Sequence, residues 1–105
     1  MNIRTINATT NNLIKALEID LEKNDRVARM YADLNNPLTK HADYDKRRKE
    51  IDELIKRHNQ QVDNVYHTLV MLYITALDDC NLKKLEEMQN KVQNLRMVDI
   101  YVIEV

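Results

Sequence analysis

The only concentrated charge in this chain is the run Lys46-Arg47-Arg48-Lys49, followed by Lys56 and Arg57. Arg and Lys in this density can hold the phosphate of a nucleotide or a nucleic acid, because guanidinium forks match phosphate oxygens. The run is interleaved with Asp43, Asp45, Glu50, Asp52 and Glu53. Four consecutive residues also spread around a helix instead of forming one groove. A solvated helix face competes with the phosphate reading, and only Tyr44 is near enough in sequence to stack on a base.

Other candidates are sparser. Asp63 and His67 are four apart and share a helix face, a spacing that suits one metal ion or an acid–base pair. A working site needs a third ligand or a nucleophile, and His41 and the Asp78-Asp79 pair lie far off in sequence. Cys80 follows two carboxylates, which disfavour its thiolate. The sequence has no Ser, which excludes a serine triad. His58 falls on an apolar stripe, where it acts as a hydrogen-bonded core residue or as a polar layer that fixes register.

Composition removes whole classes of enzyme. Gly is absent, and dinucleotide-binding turns and phosphate-binding loops both depend on it for close backbone approach. One Cys excludes an internal disulfide and a multi-cysteine zinc site. The net charge of −1 gives no overall field toward nucleic acid or anionic membrane. Neither a signal peptide nor a membrane-spanning run is legible, so we expect a cytoplasmic protein without a cofactor.

The elements that must position these residues are helical. Ile51, Ile55, His58, Val62, Val65, Leu69, Leu72 and Ala76 alternate spacings of four and three, which predicts one long helix from about Tyr44 to Asp79. Leu13, Leu17, Leu21, Ala28, Tyr31 and Leu34 predict a first helix over about 12–34, capped by Thr9, Thr10, Asn11 or Asn12. The pairs Glu22–Arg26 and Asp25–Arg29 carry it through the polar stretch Lys23-Asn24-Asp25. Asn35-Asn36-Pro37 marks the break before the long helix. Leu82, Leu85, Met88, Val92 and Leu95 predict a third helix over about 82–96.

The ends read differently. Met1 to Thr10 reads as an extended lead-in, and Met97 to Val105 is β-branched and alternating, as in a strand. The expected fold is therefore mainly α, a single domain of three helices with one long central helix. The first helix would fold back on its first half and the third on its second half. The two extended termini would then meet in a small β ladder.

The long helix is apolar on every side from Val65 to Leu77, more than one short helix can cover. We therefore expect a second protein surface at Val65, Tyr66, Leu69, Val70, Tyr73 and Leu77, most simply another copy of the chain in a homodimer. Together these features predict a non-catalytic, self-associating helical interaction protein, an adaptor, regulator or inhibitor of a partner protein. Its Asn-, Lys- and Ile-rich, Gly-free composition is compatible with a small viral or mobile-element accessory protein. The alternatives are a binder of a phosphate-bearing ligand through Lys46, Arg47, Arg48, Lys49, Lys56 and Arg57, and a small helical enzyme built on Asp63 and His67.

Overall fold

A computed structural model describes residues 2–33, 41–74 and 79–98. Three helices account for most of them: α1 (Ile3–Asp33), α2 (His41–Ile74) and α3 (Asp79–Gln93). At about 1.5 Å per residue, the 34 residues of α2 set the long dimension of a rod measuring 59 × 16 × 15 Å. The fold is mainly α, and no strand occurs among the described residues. None of the helices is long and apolar enough to cross a membrane.

The first helix starts at Ile3, nine residues before the expected start near Asn12. Asn2 is the N-cap, with its Oδ1 accepting the Thr5 N–H at 2.9 Å. The reason lies in the stripe. Ile6, Thr10, Ile14 and Leu17 are all buried at spacings of four, four and three, so the helical period begins well before Asn12. This corrects the extended lead-in and removes one partner of the expected β ladder. The other expected partner lies largely outside the described residues; Met97 and Val98 are neither helix nor strand.

An α1 of 31 residues runs along the whole of α2, not only its first half. Near the start of α1, the Tyr73 hydroxyl at the far end of α2 donates to Asn7 Oδ1 at 2.6 Å. Toward its end, Ala28 packs with Ile51. The helix continues unbroken through Lys23-Asn24-Asp25, and both expected pairs form, Arg26–Glu22 at 3.4 Å and Arg29–Asp25 at 2.8 Å. The third helix packs against the C-terminal half of α2 and also touches α1.

Two apolar cores result. The larger joins Ile6, Ile14 and Leu17 of α1, Val62, Leu69 and Tyr73 of α2, and Met88 and Val92 of α3. Complete burial of a residue such as Leu69 contributes roughly 1.5–3 kcal/mol. The smaller joins Ala28, Ile51 and Met97, where only two helices and the chain leaving α3 are present. Between the cores lies His58, 0% exposed.

Candidate functional site

His58 is buried on α2 and touches two other segments of the chain. Its Nδ1 lies 2.8 Å from Asp20 Oδ2 on α1, and its Nε2 lies 2.6 Å from the Leu95 carbonyl just after α3. The ring is thus held from both nitrogens, by a carboxylate on one side and a backbone carbonyl on the other. Asn24 completes the layer. Its Nδ2 donates to Asp20 Oδ2 at 2.9 Å and sits 3.3 Å from the His58 ring. Position 24 continues the apolar stripe of α1 by the three-and-four spacing from Leu21 to Ala28, so a polar residue on one stripe faces a polar residue on the other.

At the next residue of α2, the chain leaving α3 is fastened again. Asn59 Nδ2 donates to the Met97 carbonyl at 3.0 Å, and its Oδ1 accepts the Met97 N–H at 2.8 Å. The amide thus meets both backbone groups of one residue, as a neighbouring strand would. Arg96 pairs with Asp63 beside it. Three residues of α2, His58, Asn59 and Asp63, therefore hold Leu95, Arg96 and Met97 in order.

Beside this layer a pocket of about 280 Å3 opens between α1 and α2. It is lined by Asp20, Lys23, Asn24, Val27, Leu54, Arg57, His58 and Gln61. Asp20 and Gln61 also line a second depression of about 420 Å3, which continues along the same helix pair past Leu13, Ala16, Leu17, Asn64 and Val65. The two form one groove on the α1–α2 face.

The expected site residues separate. Lys46, Lys49, Lys56 and Arg57 are exposed, and Arg47 and Arg48 are half-buried, with Arg48 pairing with Asp52 at 3.5 Å. Helical spacing sorts the run into two mixed stripes, Lys46-Glu50-Glu53-Arg57 and Asp45-Lys49-Asp52-Lys56, each alternating in sign or nearly so. Arg57 alone of the six lines the pocket. Lys23, its partner there, sits in a stretch that looks solvated on every side in the sequence.

Asp63 is engaged by Arg96, while the exposed His67 meets the Tyr66 ring edge-on at a centroid distance of 6.0 Å. Among the described residues no group of three His, Cys, Asp or Glu side chains can hold a metal ion.

Of the expected subunit contact, Leu69 and Tyr73 are buried in the chain's own core. Val65 and Tyr66 pack against its edge, and Val70 is half-buried. The helical start of α1 supplies this cover. Leu77 lies outside the described residues, and Met71 and Ile74 of the same stretch stay 69% and 55% exposed.

No protein-family model matches this chain, and neither does any curated protein or any solved structure.

Proposed function

We propose that this chain is a non-catalytic helical interaction protein that self-associates through the α1–α2 face and acts on a protein partner as an adaptor, regulator or inhibitor. The observation that carries this reading is the groove of about 420 Å3 lined by Leu13, Ala16, Leu17 and Val65. Two antiparallel helices with an apolar seam between them are half of a four-helix arrangement. Ile19 and Met30, 61% and 51% exposed, extend the apolar character of α1 outside the core stripe.

A second copy suits this face. A two-fold contact pairs one surface with itself, so an apolar groove meets an apolar groove. The rim carries both signs, Asp20 with Lys23 and Arg57, and the net charge of −1 leaves little repulsion between copies. Sedimentation equilibrium over a wide concentration range tests the reading. A dimer is expected, and Ala16→Arg, at an exposed position on the groove wall, should shift it to monomer. A wild-type chain that stays monomeric at every concentration would end it.

A further inference from the structure

The pocket between Lys23 and Arg57 supports an assignment beyond self-association: we propose that it binds the phosphate group of a small molecule. Lys23 comes from α1 and Arg57 from α2, and they line one cavity of about 280 Å3. Neither closes an ion pair with any described carboxylate, although Glu53 precedes Arg57 by one turn. The one carboxylate on the wall, Asp20, already receives the Asn24 amide and faces the His58 ring, both at Oδ2. The lining thus holds two uncommitted cations against one committed carboxylate.

The chemistry of the donors selects the ligand. An ammonium, a guanidinium fork and the Gln61 amide together suit an anion with three or more oxygens, and a guanidinium presents two parallel N–H groups to phosphate. Val27 and Leu54 add an apolar wall, giving a phosphate monoester a place for its carbon skeleton. The cavity is too small for a nucleic-acid track, and the remaining basic residues of α2 alternate with acids instead of extending it.

The test is a titration of the full chain followed by ¹H–¹⁵N NMR, with inorganic phosphate in one series and glycerol phosphate in another. Saturable shifts are expected at Lys23, Asn24, Arg57 and Gln61. Arg57→Gln and Lys23→Gln should each weaken binding about 10-fold, the usual scale for losing one hydrogen bond to a charged group. Arg57→Lys, which keeps charge and loses the fork, should fall between Arg57→Gln and wild type. Lys83→Gln, exposed on α3 and away from the pocket, should bind like wild type. Tighter binding of glycerol phosphate assigns the site to monoesters; equal binding assigns it to the phosphate group alone. Shifts that do not saturate at millimolar ligand, or an equal loss in Lys83→Gln, would overturn the assignment. Because the pocket borders the proposed dimer face, the titration is repeated on Ala16→Arg: saturable binding there upholds the phosphate site whatever the wild-type oligomeric state, and no saturable binding in either protein overturns it.

Discussion

Asp20 Oδ2 lies 2.8 Å from His58 Nδ1, and this contact ties α1 to α2 between the two cores. His58 is 0% exposed while the Asp20 side chain is 30% exposed, so the contact links the interior to the pocket rim. Removing one partner leaves a buried polar group without its acceptor, at a cost of about 1–3 kcal/mol. Asp20→Ala is expected to lose stability on that scale. A double-mutant cycle of Asp20→Ala with His58→Ala should show a coupling of about 0.5–3 kcal/mol, as for other directly hydrogen-bonded pairs. Urea unfolding of the four proteins measures it, and additive losses would mean that the contact contributes nothing.

The Asn59 amide makes a narrower prediction, because it meets the N–H and the C=O of Met97 at once. Asn59→Ala should expose both groups and speed hydrogen exchange at the Met97 amide by about 10-fold or more, with a stability loss of about 1–2 kcal/mol. Asp63→Ala breaks the neighbouring pair with Arg96, whose side chains are 44% and 37% exposed. A partly exposed ion pair contributes about 0–1 kcal/mol, so that variant should change stability little. Exchange at Met97 in the two variants separates the roles. Equal protection in wild type and Asn59→Ala would show that the amide does not hold the chain.

The sequence exposed the helices better than the contacts between them. The four-and-three spacing from Ile51 to Leu72 marks α2, because a buried stripe leaves a periodic trace. The same trace placed His58 inside and suggested a polar layer. The start of α1 was hidden because Ile3, Thr5 and Ile6 suit a strand as well as a helix, and Thr10 interrupts the apolar pattern although it is buried. Asn24 was legible in principle. It stands at a stripe position on α1, as His58 does on α2, and two polar stripe positions on neighbouring helices invite pairing. Lys23 and Asn59 left no signal, since their roles depend on which helix lies opposite, and the single sequence does not carry that.

The contact between Tyr73 and Asn7 joins the end of α2 to the start of α1 at 2.6 Å, with Tyr73 only 1% exposed. It holds the first turns of α1 against α2, the part of the fold that the sequence conceals. Tyr73→Phe keeps the ring in the core and removes only the hydroxyl, so its expected cost is about 0.5–1.5 kcal/mol. Thermal unfolding by circular dichroism checks this, and hydrogen exchange in residues 3–12 should rise more than in α3. Uniform change across all three helices would show that the bond does not act locally.

Thr10 offers the opposite sign. Its Oγ1 is buried and meets no hydrogen-bond partner among the described residues, while the residue itself is 0% exposed in the middle of the Ile6–Ile14 stripe. A buried hydroxyl without a partner costs about 1–3 kcal/mol relative to a satisfied or apolar group. Val has nearly the same shape and puts a methyl where the hydroxyl stands, and both are β-branched, so helix propensity hardly changes. Thr10→Val should therefore stabilise the chain by about 1 kcal/mol, raising Tm by roughly 4 °C or more for a domain of this size. Thr10→Ala removes the hydroxyl too but leaves a void, and it should fall below Thr10→Val in stability. A Thr10→Val protein less stable than wild type would mean that the hydroxyl has a hydrogen-bond partner in solution, such as a buried water or its own backbone one turn back.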